Sequence, residues 1–163
     1  MKILYFGGQK SGKSTLSEAK ALELSKNKPY YIATYDKSFD DKEMNLRVLK
    51  HQNQREERFI TIEEPLNIVS KIEEGNTYLV DCISMWILNN IENSEEELVK
   101  QLEDIKNIDA NIVFVLNDVN SGVIPFDKQS REFVDLTGII GQKLASFCDE
   151  VYEVKLGLAS RLK

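Results

Sequence analysis

The stretch Lys2–Ser14, KILYFGGQKSGKS, restricts the possible folds of this chain more than any other. Residues of strand character from Lys2 to Phe6 run into the turn Gly7-Gly8-Gln9-Lys10-Ser11-Gly12, and a helical pattern begins at Lys13-Ser14-Thr15. Gly7, Gly12, Lys13 and Ser14 satisfy the phosphate-loop spacing G-x-x-x-x-G-K-[ST]. Glycines let successive backbone N–H groups curl into a nest of partial positive charge that a Cβ would obstruct. The helix that follows aims its unpaired N-terminal N–H groups and its dipole at the same anion. Lys13 is spaced to reach the outer phosphates, and the Ser14 hydroxyl to join the shell of a Mg²⁺ ion. The stretch predicts a protein that binds a nucleoside triphosphate.

The length of 163 residues predicts one domain over 1–163 with room for a sizeable core. A formal net charge of −6 argues against general affinity for nucleic acid or anionic membrane, so any basic site is local. No apolar run reaches transmembrane length, and Met1-Lys2-Ile3 leads straight into the first strand, so no cleavable signal is expected. Cys82 and Cys148 lie in apolar surroundings without metal-ligand spacing, which suits reduced core thiols in a cytoplasmic protein.

Apolar strand-like runs alternate with helical patterns, as in an α/β domain with a mainly parallel sheet. The first helix is expected over Thr15–Lys26, with Leu16, Ala19, Leu22 and Leu24 toward the sheet, and a second strand over Tyr30–Thr34. A charged stretch fills Tyr35–Arg58, then come a strand at Phe59–Ile62 and, behind Pro65, a helix at Leu66–Ile72. Tyr78–Asp81 reads as a strand, Ile83–Ile91 as a helix, and Ser94 with Glu97 as a capping box opening a helix to about Lys106. A buried strand at Asn111–Leu116 and a loop broken by Gly122 and Pro125 follow. A long helix over Asp127–Cys148 repeats Phe133, Leu136, Ile140, Leu144 and Phe147 at helical spacing, and Val151–Val154 is a last strand.

Two further features carry chemistry. Asp81 ends a buried strand, where phosphate-loop proteins place the carboxylate that holds the Mg²⁺ hydration shell. Its alternative role is to cap the helix that follows. Arg47, His51, Arg55 and Arg58 stand four, four and three residues apart, so on a helix they share a face. Guanidinium groups around one imidazole suit phosphate handling, and a neutral imidazole can itself attack phosphorus. The same charge run also reads as a solvated helix face.

The order of motifs resembles the bifunctional adenosylcobinamide kinase / adenosylcobinamide-phosphate guanylyltransferase family of cobalamin biosynthesis. That family opens with G-G-x-x-S-G-K-S, matched by Gly7 through Ser14, followed by I-A-T at Ile32-Ala33-Thr34. Its segment R-[IV]-x-x-H-x-x-x-R-x-x-x-W-x-T-x-E is matched by Arg47, Val48, His51, Arg55, Phe59 in place of tryptophan, Thr61 and Glu63. An acidic-Cys strand end with T-x-W-x-x-N resembles Asp81, Cys82, Ser84, Trp86 and Asn89. A loop N-E-V-G-x-G-I-V-P resembles Asn117–Pro125, and R-x-F-R-D-x-x-G-x-x-N-Q resembles Arg131, Phe133, Asp135, Gly138 and Gln142. The chain departs from the pattern at Asp118, Asn120, Val134 and Gly141, where glutamate, glycine, arginine and asparagine are usual.

The resemblance implies a RecA-like phosphate-loop fold, a mainly parallel sheet flanked by helices. It implies two reactions: phosphoryl transfer from ATP or GTP to the corrinoid adenosylcobinamide, then GMP transfer from GTP through a histidine–GMP intermediate on His51. Lys13 is the other implied catalytic residue. Implied nucleotide contacts are Gly7, Gly8, Gln9, Lys10, Ser11, Gly12, Lys13, Ser14, Thr34, Tyr35, Asp36, Arg47, Gln52, Asn53, Gln54, Arg55, Glu63 and Asp81, with Ser14 and Asp81 toward Mg²⁺. Family members resemble cyclic homo-oligomers, which implies a trimer. A plain small-metabolite kinase would use Lys13, Ser14 and Asp81 without the histidine, and a nucleotide-gated switch would bind GTP with little turnover.

Overall fold

A computed structural model of the chain describes residues 1–36 and 57–163. The described strands form one seven-stranded sheet. In chain order they are β1 (Lys2–Gly7), β2 (Tyr30–Ala33), β3 (Ile60–Glu63), β4 (Thr77–Asp81), β5 (Asn111–Asn117), β6 (Glu150–Lys155) and β7 (Leu158–Arg161). The spatial order is β3-β2-β4-β5-β1-β6-β7, parallel throughout except for the antiparallel β6–β7 pair. Strand β5 stands between β1, which leads into the phosphate loop, and β4, which ends on Asp81. This is the RecA-like α/β arrangement expected from the sequence.

Strand alternation divides the core into two layers, because successive side chains point to opposite faces. Leu4, Ile32, Tyr78, Val80, Ile112, Phe114 and Leu116 face one side. There they meet α2 (Ile83–Asn89), α3 (Glu95–Asn107) and α4 (Lys128–Phe147) through Trp86, Leu98, Leu102, Ile140 and Leu144. Ile3, Tyr5, Tyr31, Leu79, Val113 and Val115 face the other side, toward Ala21 of α1 (Lys13–Leu24) and Phe59. Phe59 is buried edge-on against Tyr31, so it fills an aromatic core position where the family pattern has tryptophan.

Local chemistry explains most boundaries. Ser94 accepts from the Glu97 N–H while the Glu97 carboxylate accepts from the Ser94 N–H, which closes the capping box of α3. Asp127 caps α4 by accepting from the Ser130 N–H. The expected helix over Leu66–Ile72 is only a 3₁₀ turn at Ile68–Lys71, capped by the Asn67 side chain. Its β-branched Ile68 and Val69 favour helix weakly, and Ile72 is already extended. On α1 the buried positions are Lys13, Ser17 and Ala21, whereas Ala19 is exposed. The helix is therefore rotated relative to the expected face, with Leu16, Leu22 and Leu24 packing from its flanks. Strand β7 was not expected. The charged stretch read between Asp36 and Glu57, including its proposed helical face, lies outside the described residues.

Candidate active site

Parallel pairing brings the carboxyl ends of six strands to one edge of the sheet. Register sets Gly7 beside Asn117 and Val154, and Ala33 beside both Glu63 and Asp81. Ligands of open parallel sheets gather at such an edge.

Gly7 leaves β1 in so tight a space that a Cβ there would collide with the Val154 carbonyl oxygen. The loop continues through Lys10 at φ +57° and Gly12 at φ +101°, left-handed conformations that curl the chain back on itself. Two bonds close the curl: the Ser11 N–H donates to the Gly8 carbonyl at 3.3 Å and Lys13 Nζ donates to the same oxygen at 2.9 Å. Lys13 is only 6% exposed, so the fold holds its ammonium at the loop instead of in bulk water. Ser14 is half-buried in the first turn of α1, while Gln9 and Lys10 are exposed at the loop's outer side. Among the described residues Ser11 Oγ is buried without a hydrogen-bond partner.

On the opposite side of β5, Asp81 ends β4 and its Oδ2 accepts from the Tyr31 hydroxyl at 3.1 Å. The residue after it is clamped. Thr34 Oγ1 accepts from the Cys82 N–H at 2.9 Å and donates to the Cys82 carbonyl at 2.7 Å. The Thr34 side chain is fully buried, and its hydroxyl is committed to Cys82. The N-cap of α2 is Cys82, with no side-chain capping bond, so the helix is not started by an Asp81 cap. Burial, and after it the Asp81 carboxylate, pushes the Cys82 thiol up to about 12; Lys13 acts in the opposite sense. Lys13 and Asp81 thus both bear on the space around Cys82. Cys148 is a buried core thiol, also pushed up to about 12 by burial, and both cysteines are free.

Beyond these, Tyr35 and Asp36 follow Thr34 as half-buried residues and Glu63 is exposed at the end of β3. Arg58 pairs with Glu18 of α1 at 3.0 Å, which ties the entry to β3 to the helix behind the phosphate loop. Arg47, His51, Gln52, Asn53, Gln54 and Arg55 lie outside the described residues. The departures from the family pattern meet at one seam. Asp118 Oδ1 accepts from the N–H groups of Asn120 and Ser121, and Asn120 Nδ2 donates to the Val134 carbonyl on α4. A Cβ at Gly141 would press on Leu116 at 3.1 Å, so the missing side chain there relieves contact with β5.

Neither Tyr31 nor the turn between β6 and β7 stands out from motif spacing. Tyr31 reads as an ordinary strand residue, and the only sign of the turn is Gly157 between two leucines. Among the described residues no group of three or more His, Cys, Asp or Glu side chains is arranged to hold a metal ion. The hydroxyl and carboxylate oxygens of Ser14 and Asp81 are the hard donors Mg²⁺ takes, and an open set suits an ion that keeps its waters and substrate phosphates as ligands.

The model of a family described as cobinamide kinase / cobinamide phosphate guanyltransferase matches residues 3–162. The bifunctional adenosylcobalamin biosynthesis protein CobP of Pseudomonas aeruginosa is 34% identical over 172 residues, covering 100% of this chain and 98% of the relative. The proteins named CobU from Salmonella typhimurium and Escherichia coli are 30% and 28% identical, each aligned over the full length of both chains. Among solved structures, the flagellar accessory protein FlaH from Methanocaldococcus jannaschii aligns with a TM-score of 0.54 over 99% of this chain and 77% of that one. At 15% identity that likeness shows a shared fold alone.

Proposed function

The chain belongs to the cobinamide kinase / cobinamide phosphate guanyltransferase family and is a bifunctional transferase of cobalamin biosynthesis, and from that premise we propose how its residues divide the two reactions. In the kinase step the hydroxyl oxygen of the aminopropanol arm of adenosylcobinamide attacks the γ-phosphorus of ATP or GTP. The bond to the β–γ bridging oxygen breaks, the nucleoside diphosphate leaves and the hydroxyl proton is released. The N–H groups of the loop from Gly8 to Ser14 other than that of Ser11, together with the Lys13 ammonium, hold the β- and γ-phosphates. To do so Lys13 exchanges its bond to the Gly8 carbonyl for phosphate oxygens. Ser14 and Asp81 would hold Mg²⁺, which when bound neutralises charge on the transferring phosphoryl group. Tyr31 and the Thr34–Cys82 clamp fix the Asp81 end of that pair.

In the second step a His51 ring nitrogen attacks the α-phosphorus of GTP, expelling pyrophosphate. The phosphate of the first product then displaces His51 to give the GDP-linked corrinoid, and the ring returns free. Arg47 and Arg55 neutralise the triphosphate, with Tyr35, Asp36, Gln52, Asn53, Gln54 and Glu63 around the nucleoside. The working unit is a homo-oligomer, a trimer by family resemblance. Val123, Ile124 and Phe126 support this: they are 95%, 80% and 103% exposed in the loop after β5, an apolar surface of the kind a neighbouring subunit covers.

The observation that carries the reading is the Lys13 ammonium buried against its own loop, one strand away from the Asp81 strand. The test is transfer of labelled γ-phosphate from ATP to adenosylcobinamide by the wild-type protein and by Lys13→Ala. Wild type is expected to phosphorylate the corrinoid, and the variant to lose the transfer with its circular dichroism unchanged. Retained transfer in the variant would overturn the role given to Lys13.

A further inference from the structure

We infer that the turn between β6 and β7, acting through the Gly157 N–H, is a positioning element for the phosphate loop; the inference rests on reading Gly7–Ser14 as the triphosphate cradle. Gly157 N–H donates to the Ser11 carbonyl at 2.8 Å. In a trans peptide the carbonyl and the following N–H point in opposite directions. Fixing the Ser11 carbonyl toward the β6–β7 turn therefore directs the Gly12 N–H away from it, into the loop's interior. One backbone bond from outside the motif thus orients a donor of the cradle.

The two chains meet through glycine on both sides. Gly12 has φ +101°, and a Cβ on it would stand 3.0 Å from the Gly157 Cα. Gly157 has φ +79° and follows Leu156 at φ +53°, so the turn passes through two successive left-handed residues to present its N–H. A Cβ at Gly157 would meet nothing within 4 Å. The demand for glycine at 157 is therefore torsional, whereas at 12 it is also steric. The other end of the loop is tied to the same strand, since Gly7 lies in register with Val154 and its backbone passes against the Val154 carbonyl. The cradle is referenced at Gly7 and at Ser11 to one rigid strand pair. Leu156 and Leu158, which flank Gly157, are 95% and 73% exposed, so burial does not explain how the turn is placed. The β6–β7 pairing brings the turn to the loop, and the Gly157–Ser11 bond joins the two.

Cys148 gives a direct route to the test, because residues 148–163 can be supplied as a synthetic peptide and joined to the preceding chain at that native cysteine. Three full-length proteins are compared: the unmodified chain, one with the amide before Gly157 replaced by an ester, and Gly157→D-Ala. The ester deletes the N–H donor and weakens only the Leu156 carbonyl as an acceptor, while the side chains stay unchanged. The D-residue keeps the N–H and favours positive φ. Affinities for ATP and for adenosine are measured on each. The ester is expected to weaken ATP at least fivefold while leaving adenosine unchanged, and Gly157→D-Ala to bind ATP as the unmodified chain does. An ester protein that binds ATP normally, a parallel loss of ATP and adenosine, or a weakened D-Ala variant would each overturn the inference. An unmodified chain that binds no ATP would instead remove the phosphate-cradle reading beneath it.

Discussion

Replacing Thr34 by valine keeps the shape of a fully buried side chain and removes its hydroxyl. That hydroxyl makes two bonds, accepting from the Cys82 N–H at 2.9 Å and donating to the Cys82 carbonyl at 2.7 Å. Leaving a buried backbone donor or acceptor without a partner costs roughly 1–3 kcal/mol each, so the pair predicts a loss of about 2–6 kcal/mol. For a chain of this size that lowers the thermal midpoint by roughly 4–24 °C. Because Cys82 follows Asp81 directly, the released backbone also frees the carboxylate that Tyr31 holds. The apparent Mg²⁺ requirement of phosphoryl transfer should rise at the same time. Thr34→Ser retains both bonds and is expected to lose less than about 1.5 kcal/mol, through the missing methyl. Urea unfolding of the two variants, followed by Mg²⁺ titration of the kinase reaction, makes the comparison. A valine variant within about 0.5 kcal/mol of wild type would refute the claim that Thr34 clamps the Asp81 strand end.

Two other expectations come from elements away from the nucleotide. Ser94→Ala removes the hydroxyl that accepts from the Glu97 N–H, leaving only the Glu97 carboxylate half of the capping box of α3, and should cost about 1 kcal/mol in urea unfolding; a variant as stable as wild type would contradict the cap. Alkaline pH should unfold the protein progressively. Burial raises the Cys82 and Cys148 thiols from 9.0, and the Tyr5 hydroxyl from 10.0, to about 12, with Tyr152 and Glu150 adding to the shift at Tyr5. The unfolded chain loses these protons first, so stability is complete below about pH 9 and declines as pH rises toward about 12. A urea midpoint that stays flat from about pH 8 to pH 11 would contradict this.

The elements legible in the sequence are those whose signal is local. The phosphate loop, the Ser94–Glu97 capping box and the apolar repeat from Phe133 to Phe147 each carry their chemistry within a few residues, and each is present in the structure. The strand that ends on Asp81 was equally plain, because β-rich apolar residues run to a carboxylate and then stop. What escaped depended on partners distant in sequence. Strand β7 is only Leu158–Arg161 and fully exposed, so it carries no burial alternation; pairing with β6 creates it. On α1 the leucines Leu16, Leu22 and Leu24 pack against the sheet as the spacing predicts, but Ser17 and Ala21 lie deepest and Ala19 is exposed, because small side chains let the helix approach closely. The roles of Tyr31 and Gly157 follow from contacts across 50 and 146 residues, beyond any spacing rule.

Guanylylation of His51 is the central chemical claim, and intact-protein mass spectrometry after incubation with GTP and Mg²⁺ tests it most directly. The account predicts a mass increase of one GMP on the wild-type chain, removed by mild acid and absent from His51→Ala. A wild-type chain that stays unmodified while it still phosphorylates adenosylcobinamide, or a His51→Ala chain that gains the same mass, would contradict it.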